Sequence, residues 1–238
     1  MERGKYARLA GASSACERSA VQTPTERRLA RLARLRGLYA IVGDGDPVGQ
    51  AAAALAGGAG VVQVRMKHSP AGVVLEAARA IVDLARERAL VLVNDRADLA
   101  LLSGADGVHL GDADLPPAEA RRFLGEALLV GRSCRTLEDG RRALAEGADH
   151  VGFGPVFGTR TKEIAVPPRG LDALRTVAAA LPAPVVAIGG ITLETVAGVA
   201  AAKAAAAAIV EDLLARGDVR ARAEALAARF AAGAEGRA

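Results

Sequence analysis

Two acidic turns carry the first chemical signal in this 238-residue sequence. The apolar run Leu90-Val91-Leu92-Val93 ends in Asn94-Asp95-Arg96, and Gly107-Val108-His109-Leu110 ends in Gly111-Asp112-Ala113-Asp114. Each apolar run reads as a strand, so Asp95 and Asp114 fall just past the carboxyl ends of two successive strands. In parallel α/β folds, groups at those ends converge on one face, where ligands bind. Paired carboxylates there can hold a hard divalent cation such as Mg²⁺, which itself carries a phosphorylated substrate. The competing assignment makes each aspartate a helix N-cap, because a helical segment follows each turn.

The stretch Gln63-Val64-Arg65-Met66-Lys67 adds cationic donors. Period-two alternation puts Gln63, Arg65 and Lys67 on one side of an extended chain, with Val64 and Met66 on the other. One strand end thus offers an amide, a guanidinium and an ammonium to one region, a set suited to gripping a polyphosphate. The alternative is a partly solvated strand end with ordinary ion pairs. Further along, a glycine-rich segment leads into Thr159-Arg160-Thr161-Lys162, which supplies two hydroxyls and a cation. A plain surface loop has the same composition. Ala187-Ile188 runs into Gly189-Gly190, whose backbone N–H groups are open to a phosphate. Ser133 faces the ligand side if Gly131 does, but no Ser–His–Asp arrangement accompanies it. Thr136, three residues before Asp139, fits a helix cap better than a catalytic hydroxyl. His68, His109 and His150 are too scattered for a metal cluster, and His109 fits an ordinary strand position better than a ligand role.

These groups need a scaffold that brings many strand ends to one face. From Gly37 onward, short β-rich runs alternate with Ala-rich helical segments. Strands are expected at 38–42, 61–65, 90–94, 107–110, 128–131, 150–154, 184–188 and 205–210. Helices are expected at 48–57, 70–88, 96–103, 116–124, 136–146, 169–181, 192–203 and 218–232. Eight βα units specify a (β/α)₈ TIM barrel, typically about 250 residues long. The missing early G-x-G-x-x-G turn argues against an open doubly wound sheet. An internal echo supports the same count: Gly58-Ala59-Gly60-Val61-Val62, Gly104-Ala105-Asp106-Gly107-Val108 and Gly147-Ala148-Asp149-His150-Val151 each end a helix before an even-numbered strand. The fourth copy reads Lys203-Ala204-Ala205-Ala206-Ala207-Ala208, keeping the register without the glycines. Residues 1–23 show no periodicity, and 24–35 read as a basic amphipathic helix with Leu29, Leu32 and Leu35 on one face. The expected division is therefore an N-terminal extension, 1–36, and a barrel domain, 37–238.

Composition narrows the function classes. Hydrophobic residues make up 51% of the chain but aromatics only 3%, with no Trp, so the core must be aliphatic. Cys16 and Cys134 give neither a disulfide framework nor a metal spacing. No apolar run approaches the ~20 residues needed to span a bilayer, and the first residues lack the apolar stretch of a secretory signal. A cytoplasmic protein without membrane contact is expected. The net charge of +4 and pI near 9.5 raise nucleic acid as a partner. Little aromatic stacking surface accompanies the arginines, which argues against that partner. Arg27, Arg28, Arg31, Arg34 and Arg36 are expected on a solvated helix face, and a site for small anions accounts for part of the excess charge.

Taken in order, these motifs resemble the thiamine phosphate synthase and thiazole tautomerase family over roughly residues 37–232. Gln63-Val64-Arg65-Met66-Lys67 is similar to the family's Q-x-R-x-K strand and Asn94-Asp95-Arg96 to its N-D-R turn. Gly107-Val108-His109-Leu110-Gly111 looks like the strand before its second acidic residue. Thr159-Arg160-Thr161-Lys162 matches T-x-T-K, and Ile188-Gly189-Gly190-Ile191 matches I-G-G-I. The resemblance implies that Gln63, Arg65, Lys67, Asn94, Ser133 and Lys162 bind an aminopyrimidine diphosphate. Arg65, Lys67 and Lys162 would then neutralise the departing pyrophosphate. It further implies that Asp95 and Asp114 ligate Mg²⁺, while Thr159, Thr161 and the Gly189-Gly190 turn contact a thiazole phosphate.

The implied reaction is transfer of the aminopyrimidinylmethyl group from its diphosphate to the thiazole nitrogen, with release of pyrophosphate. The tautomerase branch typically lacks N-D and T-K and uses a histidine after the fifth strand, where this chain has Arg135, so the synthase branch is favoured. The alternatives are a thiazole isomerase and a non-catalytic paralogue. Departures from the pattern are Met66, and Ala206 and Glu211 in place of a glycine and a serine of the eighth-strand motif. The latter two lead to an expectation of weak thiazole phosphate binding and an impaired reaction, because a carboxylate beside a phosphate repels it.

Overall fold

A computed structural model describes residues 22–86, 88–158, 167–214 and 217–236. Eight parallel strands close into a barrel in sequence order: β1 (Gly37–Val42), β2 (Val61–Val64), β3 (Leu90–Asn94), β4 (Gly107–Leu110), β5 (Leu129–Cys134), β6 (His150–Phe153), β7 (Val185–Ile188) and β8 (Ala206–Ile209). Closure is made by β8 against β1, with Gly37 opposite Ala206 and Tyr39 opposite Ala208. The intervening helices are α2 (Pro47–Ala56), α3 (Ala71–Ala85), α4 (Ala97–Ser103), α5 (Pro117–Leu124), α6 (Leu137–Ala145), α7 (Gly170–Ala180), α8 (Val196–Ala201), α9 (Glu211–Leu214) and α10 (Val219–Glu235), preceded by α1 (Pro24–Ala33). This is the expected (β/α)₈ barrel. Among the described residues, no helix is long and apolar enough to cross a membrane.

The boundaries differ from expectation in three instructive places. β5 continues through Arg132, Ser133 and Cys134, because its ladder to β6 overrides the polar residues that interrupt its apolar run. α8 starts only at Val196, since Thr192 and Thr195 first form a turn in which the Thr192 N–H donates to the Thr195 hydroxyl. α9 is a four-residue helix between the strand expected at 205–210 and the helix expected at 218–232, where no element was expected.

Strand alternation sorts the side chains into two environments. Outward residues such as Val62, Val64, Val91 and Val93 pack under the helices. The inward set is aliphatic apart from Tyr39: Tyr39, Ile41, Val61, Leu90, Leu92, Leu129, Val186, Ala206 and Ala208 form one cluster. Two imidazoles occupy the inside of the β4–β6 sector, with the His109 and His150 ring centroids 5.7 Å apart. Gly131 and Gly152 make that possible, since a Cβ at either would run into a histidine ring.

α1 lies across the base of the barrel. Thr23 caps it in a capping box with Glu26, and Pro24 opens its first turn. Arg31 Nε sits 2.8 Å from Asp106 Oδ1, and its Nη1 donates to the Ala127 carbonyl at 2.6 Å. Arg28 pairs with Glu126 and approaches Asp149 at 3.5 Å. The expectation of a solvated arginine face therefore fails for Arg28 and Arg31, whose partners are carboxylates at the starts of β4 and β6 and before β5. Leu35 is 2% exposed and completes the inner core, with Leu32 packed against it. Leu29, expected on the same face, is 56% exposed, because the helix ends at Ala33 and Leu35 reaches the core from beyond it.

The internal echo has a backbone cause. Gly58, Gly104 and Gly147 adopt φ values of 89°, 74° and 96°, and Lys203 takes the same left-handed turn at φ 68° in the fourth copy. Asp106 Oδ2 accepts the Val91 N–H at 2.9 Å, and Asp149 Oδ2 accepts the Val130 N–H at 2.8 Å. Ala205, at the equivalent position, has no carboxylate to do this.

Candidate active site

The carboxyl ends of the strands surround a cavity of about 390 Å³. Gln63, 3% exposed, lies at its floor and donates from Nε2 to the Tyr39 hydroxyl at 2.7 Å. Burial drives the Tyr39 hydroxyl's pKa upward, so it stays a neutral hydrogen-bonding group. β2 ends at Val64, yet the alternation persists: Arg65 and Lys67 also line the cavity, while Met66 packs against the helix-side core.

Lys67 Nζ is 3.2 Å from Asp95 Oδ2. Asp95 is held at φ 64°, a left-handed conformation, and its N–H donates to the His109 carbonyl at 2.8 Å. Asp114 Oδ2 accepts the Gly111 N–H at 2.6 Å. The Asp114 carboxyl is pushed above the usual carboxylate range, first by burial and next by its hydrogen bond and repulsion with Asp95. Two carboxylates close enough to share a proton are a pair that a cation would stabilise. Neither caps a helix: the N-cap positions of α4 and α5 are Arg96 and Pro116, and neither makes a side-chain cap hydrogen bond. The capping alternative for both aspartates is thereby removed. Asp95 faces the cavity, and Asp114 stands behind it on the β4–α5 loop.

Their chemistry fits Mg²⁺, which binds through one or two carboxylates and completes its shell with water and phosphate oxygens. Among the described residues there is no group of three or more His, Cys, Asp or Glu side chains arranged around a metal position, so further oxygens would come from a ligand.

Asn94 and Ser133 line the same cavity, and the Ser133 hydroxyl is 3.1 Å from His109 Nε2. Cys134 is beside them, but burial raises its thiol to about 12, which keeps it protonated and unreactive. Thr136 is the N-cap of α6, in a capping box with Asp139. Arg96 turns to Asp98 in a two-pronged pair. Gly189 and Gly190 line the cavity at φ 101° and 62°. Their missing side chains also let the β6–α7 loop approach, because a Cβ would collide with Pro155 or with the Gly158 carbonyl. Thr159, Thr161 and Lys162 lie outside the described residues.

Several residues at the cavity escaped sequence reasoning. Tyr39 could have been found by extending the alternation argument to the first strand. Thr192 and Asp212 carried no motif of their own, and Asp112 was passed over in favour of Asp114 in the same acidic turn. Asp212 is buried and doubly bonded to Arg222, and it accepts the Leu193 N–H at 3.1 Å. The expectation for Ala206 needs correction: it opens β8 at the barrel base and packs in the inner core, so its methyl group is nowhere near the mouth. Glu211 does line the cavity, at the start of α9.

Comparison with known proteins agrees with the fold and identifies the family. A family model for thiamine monophosphate synthase matches residues 38–213. A protein named thiamine-phosphate synthase from Anaeromyxobacter dehalogenans is 66% identical over 203 residues, which is 85% of this chain and 91% of the relative. A second of that name, from Myxococcus xanthus, is 48% identical over 187 residues, covering 78% of this chain and 86% of its own. Among solved structures, thiamine phosphate pyrophosphorylase from Pyrococcus furiosus superposes with a TM-score of 0.78 at 32% identity, covering 84% of this chain and 98% of that one. With the whole barrel matched, from the first strand to the short helix after the eighth, the chain belongs to the thiamine monophosphate synthase family.

Proposed function

We propose that the protein joins an aminopyrimidine methyl diphosphate to a thiazole phosphate, giving thiamine phosphate and pyrophosphate. The C–O bond to the diphosphate breaks, the methylene carbon bonds to the thiazole nitrogen, and pyrophosphate departs with the bonding pair. The observation that carries this reading is the convergence of Gln63, Arg65, Lys67, Asn94, Asp95 and Ser133 on one cavity. Gln63 offers both a donor and an acceptor, which suits an aminopyrimidine edge. Arg65 and Lys67 place fixed positive charge where the leaving group gains negative charge, the arrangement that lowers a barrier of this kind. Lys162 belongs in this cradle by its motif, as Thr159, Thr161, Gly189 and Gly190 belong with the thiazole phosphate.

Asp95 and Asp114 would hold Mg²⁺, which when bound supplies charge neutralisation at the diphosphate. The aliphatic wall of Ile41, Val186 and Ile188 keeps water from an electron-poor methylene carbon. No general base is needed, and His150, buried behind His109 and outside the cavity lining, is held neutral.

The test is release of pyrophosphate on mixing both substrates with Mg²⁺. Turnover is expected with the full chain. Asp95→Asn, which tolerates the left-handed backbone, should lose metal-dependent diphosphate binding by calorimetry while keeping its melting temperature. Unchanged binding in that variant would remove Asp95 from the site.

A further inference from the structure

The Asp114 carboxylate is carried by a six-residue loop, 111–116, whose tethers come from β5. Arg132 is not a cavity residue: Gly131 and Ser133 face inward, so Arg132 projects from the outer face of the strand. From there its Nη1 donates to the Leu115 carbonyl at 3.0 Å and its Nη2 reaches the Asp112 carbonyl at 3.4 Å. The two contacts bracket Asp114 on both sides. Arg135, three residues on, grips the Asp112 carboxylate at 2.6 Å. Within the loop, Gly111 and Asp114 are joined by a side-chain bond of 2.6 Å and a backbone bond of 3.2 Å. These local bonds fix the shape of the turn, whereas Arg132 fixes its position against the barrel.

We infer that Arg132 is a positioning residue for the metal site: it holds the loop so that Asp114 stays within reach of Asp95. The inference rests on reading Asp95 and Asp114 as the metal pair. A guanidinium suits this task because its rigid planar fork holds two carbonyls in a fixed geometry, whereas a lysine ammonium is a compact donor on a flexible stem. Groups that orient a ligand from outside the coordination shell typically contribute ten- to a hundredfold in metal affinity or activity.

The experiment compares Arg132→Met, Arg132→Lys and Asp114→Asn in the full chain, using Mn²⁺ with inorganic pyrophosphate, bound metal being read by electron paramagnetic resonance. Arg132→Met should weaken Mn²⁺ binding about tenfold, and Arg132→Lys should recover part of the loss. The Mg²⁺ concentration for half-maximal pyrophosphate release should rise by the same factor, with kcat at saturating Mg²⁺ within about twofold of the parent. A role in stability alone would lower the melting temperature and leave the metal affinity unmoved, which overturns the inference. If Arg132→Met binds Mn²⁺ like the parent while Asp114→Asn does not, the loop holds itself and the metal pair stands. If neither variant changes binding, the metal pair itself is wrong and the inference falls with it.

Discussion

Asp95 occupies a backbone conformation that costs an L-residue on the order of 1–2 kcal/mol, at a position where glycine would be unstrained. An aspartate stands there in spite of that cost, and the strain sits where Lys67 and Asp114 converge. Strained residues of this kind cluster at active sites, in line with the proposed role of Asp95. His150 shows the opposite balance. Fully buried, with no hydrogen bond to either ring nitrogen, it has its pKa depressed to about 3 by burial and then by His109. Because the unfolded chain binds a proton near pH 6.5 and the folded one does not, stability must fall as the pH drops from about 6.5 toward about 3. At pH 5 the loss is about 2 kcal/mol. Urea titrations of His150→Leu should show that part of the acid sensitivity removed, and an unchanged pH dependence would assign it elsewhere. At this scale the sequence was most legible where alternation applies: Gln63, Arg65 and Lys67 follow from period two alone. Asp212 did not, because its role depends on Arg222, a helix away.

The elements were legible in number and order because each βα unit carries its own apolar run. Their ends were less so. The last three residues of β5 are hidden by the polar Arg132 and Ser133, and α9 is too short for any helical period to register. The fourth echo is the most informative element. Lys203 adopts the left-handed turn that three glycines take elsewhere. Replacing it with glycine relieves backbone strain but adds freedom to the unfolded chain. The net gain for Lys203→Gly should be about 0.5–1 kcal/mol, read as a rise of a few degrees in melting temperature. A lower melting temperature would mean that the lysine stem contributes more than its backbone costs.

Across the whole molecule, stability and chemistry sit at opposite ends of one barrel. The mouth gathers strain, paired carboxylates and cations, whereas the base is closed by Leu35 and the Arg28 and Arg31 ion pairs of α1. Leu35→Ala should therefore cost about 2–5 kcal/mol, as for other fully buried leucines, in chemical denaturation. The KM for both substrates should stay unchanged under conditions where the variant is folded, and a raised KM would show that the base is felt at the mouth. That a basic N-terminal helix would close the barrel was not legible, because its partners Asp106 and Asp149 look like ordinary turn residues until the ends of the strands are assembled.

The placement of α1 has a consequence for synthesis on the ribosome. Arg31 meets Asp106 across 75 residues of sequence and Arg28 meets Glu126 across 98. A ten-residue helix is marginal in water by itself. The first described segment to emerge thus lacks its ion-pair partners until nearly half of these 238 residues have been translated. A helix made before the barrel is thus secured only as the barrel forms, and the nascent barrel spends much of its translation with its floor open.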